Sequence, residues 1–380
     1  VATLVPLLRR DVELVVVSEE PPSVPVADVN VYHVDDEPAH EYVYRALLRR
    51  PGIVVLEEWG LHRLVHAATA GRGDEIGYRR EARRSHGELG TFVARQVTRG
   101  LGGALPDALL AMNDRVLDAG LGFVVTSTAV RDRLADRRLQ SPMIHLPLAF
   151  QAPPPLSRHD DARCRLGVSA GSRLVVAVWP RGTGSSTASV ARALDLVGAA
   201  VPGVAVRWVR ESGRDVGRSV AAADVVVALE HPSRAGVGEA VPLAVAEGRA
   251  VLVSAGSGAA RELPEGVVVH VSPGSTEMAE TVTLVQRLLA DEPLRARMGR
   301  LARSHAAARH DPEGTARALL DLFGSVGPTS ETGGVRLATR SRIATWALDE
   351  IGVAARELGL ANPPPGLASL TDSLFEEDDR

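Results

Sequence analysis

Lysine is absent from this chain: all 43 basic residues are arginine. No mechanism that needs a lysine is open to it, neither a lysine Schiff base nor a lysine on a phosphate. Cysteine occurs once, at Cys164, which excludes an internal disulfide and fits a reducing, cytoplasmic compartment with a buried, unreactive thiol. No apolar run reaches the roughly eighteen residues of a membrane span, and no signal peptide is visible. Positive charge is not in excess either. The net charge of −4 argues against nucleic acid as the main partner.

What is present is a chain of 380 residues, 45% hydrophobic and 24% charged, long enough for two domains and ordinary for a globular protein. Short valine-rich runs alternate with longer segments of helical period, which is the pattern of parallel sheets covered by helices on both faces. In the first half, strands are expected at 12–17, 29–33, 53–56 and 123–126. Helices are expected at 39–49, 61–70, 78–97, 106–119 and 129–137. QAPPPLSRHDD, residues 151–161, is linker chemistry. A second series of strands follows at 174–179, 205–209, 224–229, 250–254 and 267–271, then helices at 276–290, 293–309 and 312–323. The expected domains are 1–150 and 151–330, both Rossmann-like and doubly wound, facing a cleft. Residues 331–380 form a C-terminal extension with a linker, a helix at 341–360 and an acidic tail.

Gly236 opens the stretch GVGEAVPLAVAEGRAVLVS, with Glu239 and Glu247 separated by seven residues. Together with AAADVVVALEHPS at 221–233, GAAREL from 258 and LLADEPLRARMGRLARSHAAARHDPEGTARALLDL, it resembles the retaining glycosyltransferases of GT-B fold, a bacterial group of mannosyl- and glucosyltransferases. VYHVDDEPAHEYVYRALLRRPGIVVLEEWGLHRLV at 31–65 and HLPLAF at 145–150 resemble the acceptor domain of the same group. The resemblance spans most of residues 10–325.

It implies a donor site at the carboxyl ends of the second-domain strands. Ser233, Gly236, Val237, Gly238 and Glu239 would hold a nucleotide-diphosphate sugar there, since backbone amides and a helix start favour an anion. The family's paired acids fall elsewhere in register. Counted back from Gly248 they belong at Ala235 and Leu243, so Glu239 and Glu247 are displaced by about one helical turn. Glu239 would repel a diphosphate, and Glu247 reads as a helix end before a glycine stop. Arg181, in VAVWPRGTGSSTASV, takes the place of the family's phosphate-binding arginine, and Ser185 that of its lysine. The segment RESGRDVGRSVAAA is shorter than the family's equivalent, which adds a strand and loops over the base.

In the first domain, Glu57 and Glu58 stand where the family often has a His-Asp pair, and they are the candidate catalytic contacts to sugar hydroxyls. His62 faces the sugar or is a satisfied helix residue. His33, Asp35, Asp36 and His40 have ligand chemistry but read better as a helix start, so no metal is expected. Arg79, Arg80, Arg83 and Arg84 make a basic face for an anionic acceptor or a membrane headgroup, or a solvated helix surface. Residues 2–10 read as a helix. The family's first strand and glycine-rich loop either precede Val1 or are lacking.

The resemblance implies a hexosyltransferase with no cofactor beyond its nucleotide-sugar donor and a glycan, lipid or small-molecule acceptor. It would act in the cytoplasm, with contact to the inner membrane face or a protein partner open. The alternative is a catalytically inactive relative acting as a partner or scaffold.

Overall fold

The computed structural model describes residues 4–20, 27–103, 105–137, 139–146, 157–169, 171–179, 186–211, 215–230, 234–309 and 311–327. Two parallel sheets form. The first contains β1 (Val31–Val34), β2 (Gly52–Leu56), β3 (Gly120–Val125) and β4 (Met143–His145), in the order β1-β2-β3-β4. The second contains β5 (Arg173–Trp179), β6 (Val204–Arg210), β7 (Val225–Ala228), β8 (Ala250–Ser254) and β9 (Val269–Val271), in the order β6-β5-β7-β8-β9. Every strand pair is parallel, with a helix in the crossover between most of them.

The valine runs explain the second sheet. Val175, Val176, Ala177, Val225, Val226 and Val227 are all fully buried, because helices cover both faces and leave no polar side to alternate with. One face packs on helix Ala240–Ala246, the other on helices Ser186–Ala200 and Glu277–Ala290. In the first sheet, Phe123, Leu56 and Val54 face one core and Ile53 and Val124 the other.

Several expected elements differ. Residues 12–17 are not a strand, and Val15, Val16 and Val17 are exposed. Val12 and Leu14 pack instead on the cluster that includes helix Pro312–Val326. The sequence reading places that helix in the second domain, 151–330. Its Ala316, Leu319 and Leu322 are buried against Ile53 and Val124 of the first sheet, so the chain crosses back at its end. The helix expected at 106–119 breaks into Leu105–Leu109 and Asp114–Ala119, around Met112 at φ 48°. Asn113 Nδ2 donates to Trp59 O at 2.8 Å and Leu61 N to Ala111 O at 2.7 Å, which ties that break to the loop after β2. Helix Glu75–Thr98 is kinked at Gly87, whose φ of 58° a glycine adopts without steric cost.

The linker stretch also contains a helix, Ser157–Arg165. Arg163 on it is buried and reaches Asp224 Oδ2 at 3.1 Å and Ser172 O at 2.6 Å. Cys164, expected buried, is exposed. Between β6 and β7 the described residues hold one short helix, Val216–Ala222, and no strand. The candidate helix at 341–360 lies outside the described residues, as do Arg181 and Ser233.

Candidate functional site

The carboxyl ends of the first-sheet strands all meet the second domain, through the segments 234–236 and 258–262. After β1, Asp36 is buried and accepts from Arg234 Nη2 at 2.6 Å. The same carboxylate caps helix His62–Ala68, accepting from Arg63 N at 2.8 Å and Leu64 N at 3.3 Å. After β2, Glu58 is buried. Its Oε1 accepts from Trp59 N at 2.8 Å and Ala235 N at 3.2 Å, and its Oε2 from Gly236 N at 3.1 Å. After β3, Ser127 Oγ donates to Ala235 O at 2.7 Å and accepts from Val130 N at 3.1 Å, starting helix Thr128–Asp136. Next to it, Thr128 donates both its amide and its hydroxyl to Glu262. His145, at the end of β4, is 4.0 Å from Glu262.

Glycine makes this approach possible. A Cβ on Gly236 would sit 2.4 Å from Glu57 O, and one on Gly258 would sit 2.1 Å from Ala235 O. Gly258 N donates to Arg234 O at 2.8 Å, so the two second-domain segments also brace each other.

The expected site residues therefore separate. Glu58, expected as a catalytic contact to sugar hydroxyls, is enclosed, with its carboxylate shared among three amides. Glu57 stays partly exposed, with Oε1 3.1 Å from His33 Nε2. Burial alone would lower the His33 pKa, but the hydrogen bond and charge of Glu57, with Asp35, outweigh it and raise the value.

Gly236, Val237, Gly238 and Glu239 lead into helix Ala240–Ala246, with Gly238 at φ 74°. Glu211 Oε1 accepts from Ala240 N at 2.8 Å, and a Cβ on Gly238 would come within 2.5 Å of it. Burial raises the Glu239 pKa, and the charges of Glu211 and Glu57 add to it. Acids thus surround the loop, and three amides in and beside it, at Ala235, Gly236 and Ala240, already donate to carboxylates of the chain.

His62 is the satisfied residue of the two readings. It is buried, with Nδ1 2.7 Å from Asp107 Oδ1 and Nε2 2.6 Å from the Tyr78 hydroxyl. Asp35 pairs with His40 Nδ1 at 2.9 Å while Asp36 turns away to Arg234. Among the described residues, no group of three or more His, Cys, Asp or Glu could hold a metal ion. On the basic helix face, Arg84 reaches Asp118 at 2.6 Å and Arg83 reaches Glu88 at 3.4 Å. No helix among the described residues is long and apolar enough to cross a membrane.

Sequence reasoning missed Arg234, Ser127, Glu211 and Glu262. Ser127 carried a local signal, a serine ahead of a helix. The other three act on residues far along the chain.

The burial of Asp36 has a measurable consequence. Burial pushes its pKa up to about 6, against Arg234, Arg63 and the Leu64 amide. The folded value lies above that of a free aspartate, so the stability it contributes is full below about pH 4 and is lost as pH rises through about 6. Relative to Asp36→Asn, the wild type is expected to lose about 3 kcal/mol between about pH 4 and pH 7. Urea unfolding at a series of pH values measures it, and a pH-independent difference would contradict the assignment.

Comparison with known proteins supports the fold. HepE from Anabaena, in complex with UDP-glucose, superimposes with a TM-score of 0.52, at 13% identity over 78% of each chain. The same protein with UDP and glucose gives 0.50, at 13% identity over 78% of this chain and 99% of that one. A glycosyltransferase from Rickettsia africae gives 0.44, at 10% identity over 78% of this chain and 97% of that one. No protein-family model matches the chain. No curated protein matches it in sequence. Two Rossmann-like parallel-sheet domains with helices at the C-terminal end make this the GT-B fold.

Proposed function

We propose that this protein is a glycosyltransferase that moves a hexose from a nucleotide-diphosphate sugar to a glycan, lipid or natural-product acceptor, with retention of configuration. The observation that supports it best is that residues after β2 (Glu57, Glu58) and after β6 (Glu211) meet the glycine-bearing loop 236–239, which follows β7, at the carboxyl ends of strands, where doubly wound folds bind ligands. The donor diphosphate would lie against the amides of Val237, Gly238 and Glu239, and Ser233 and Arg181 keep the donor-binding roles that the resemblance implies, the arginine stabilising the leaving group. Glu57 would accept hydrogen bonds from sugar hydroxyls. The reading uses no metal or organic cofactor. It places the protein in the cytoplasm, with the acceptor reached from the inner face of the membrane when it is a lipid.

A second reading has its own observation. Glu58 and Glu211 hold the amides on either side of residues 237–239, and Glu239 adds a third carboxylate. This favours a catalytically inactive partner or scaffold protein. Calorimetric titration with uridine, guanosine, adenosine and thymidine diphosphates and their sugars separates the two. Micromolar binding of one nucleotide, lost in Arg181→Ala, is the result expected of the transferase. Absence of binding across the panel leaves the scaffold.

A further inference from the structure

We propose that Arg234, Ala235 and Gly236 form a latch that holds the second domain shut against the first, with Glu58 as its positioning residue. Three strand ends of the first sheet grip these three residues by chemically different means. Asp36 takes the Arg234 guanidinium at 2.6 Å, Glu58 takes two successive amides at 3.2 and 3.1 Å, and Ser127 donates to the carbonyl between them at 2.7 Å. The tripeptide is thus held at its side chain, its N–H groups and its C=O, as a bound peptide would be.

Domains joined within one chain move relative to each other by default unless something buried opposes it. Here the opposing groups are charged and enclosed. Asp36, Glu58 and Ser127 are all buried, and the Arg234 side chain is 11% exposed. Each loses its second-domain partner together with the others if the domains part, so those contacts make and break as a unit. Glu58 matters most for placement, because both of its oxygens are engaged and they take two consecutive amides of the second domain.

The consequence for ligand access rests on the proposed donor site. Residues 237–239 follow the latch directly, so a closed latch sets the loop opposite Glu57, and parting the domains widens the cleft for a nucleotide diphosphate.

The test uses the full chain and its single cysteine. Cys164 is exposed in the second domain, and Leu89→Cys adds a second exposed thiol in the first. Spin labels on this pair, read by pulsed dipolar spectroscopy, are expected to give one narrow distance distribution. Glu58→Ala is expected to add a longer population. Gly236→Ala is expected to do the same without removing a charge, because the atoms its Cβ would approach most closely, Glu57 O and Glu58 Oε2, both lie across the interface. Circular dichroism confirms that each variant is folded, and Gly236→Ala stands alone if Glu58→Ala is not. An unchanged distribution in Gly236→Ala overturns the latch, as does a broad distribution in the labelled parent. Titration of the same proteins with UDP keeps the two readings apart. A distance response without UDP binding supports the latch and removes the donor site. UDP binding without a distance response does the reverse.

Discussion

Arg234→Ala is expected to destabilise the protein by about 3 kcal/mol, near the lower end for breaking a buried ion pair. The Arg234 and Asp36 side chains are 11% and 2% exposed and lie 2.6 Å apart, so the aspartate left behind has little water to take the place of the guanidinium. Two features keep the loss from being larger. Asp36 retains the amides of Arg63 and Leu64, and burial already favours its protonated form, so it can bind a proton when the arginine is gone. The loss should therefore grow with pH. A double-mutant cycle with Asp36→Asn, followed by urea unfolding, isolates the pair. A single-mutant effect within about 0.5 kcal/mol, the size of an ordinary surface change, would mean that the pair is open to solvent.

Phe123→Ala is expected to cost about 3–5 kcal/mol, the usual range for removing a buried aromatic ring. Phe123 is fully buried on β3, in register with Val54 on one side and Met143 on the other. Its ring lies over Gly120: a Cβ there would fall 2.1 Å from the tip of the ring. This gives the prediction an internal control. Gly120→Ala alone overpacks the site and should destabilise by about 1–3 kcal/mol. In the Phe123→Ala background the same methyl group enters the space the ring has left, so its effect should fall to near zero or turn favourable. Additive effects in urea unfolding would show that ring and glycine do not share a space. Because Ser127 and Thr128 follow this strand, loosening β3 also loosens the hold of the first domain on Ala235 and Glu262.

The second sheet was readable almost strand for strand, with Ala250–Ser254 at its expected bounds and the others shifted by one or two residues. Strands buried on both faces need apolar residues at every position, and the valine runs record that need locally. The first domain was harder to read. Residues 12–17 have the composition of a strand but no ladder among the described residues, since Val12 and Leu14 serve a helix three hundred positions later. Met112 breaks a helix that the pattern of 106–119 runs through, because the loop after β2 holds the break in place.

The site divides in the same way. Gly236 and Gly238 stood out as positions where backbone must come close, and a Cβ at either would collide with a neighbour. The adjacent acids Glu57 and Glu58 could not be told apart in the sequence. In the fold they part, Glu57 toward His33 and Glu58 into the amides of Ala235 and Gly236. By itself the sequence determined the α/β class, the parallel sheets and the place of the glycine loop, because periodic burial and backbone freedom are properties of neighbouring residues. Only the tertiary structure decided what fills that loop's amides. Glu58 meets Gly236 across 178 positions and Asp36 meets Arg234 across 198. Which acid reaches which donor depends on how two separately built domains come together, a relation that no local pattern carries.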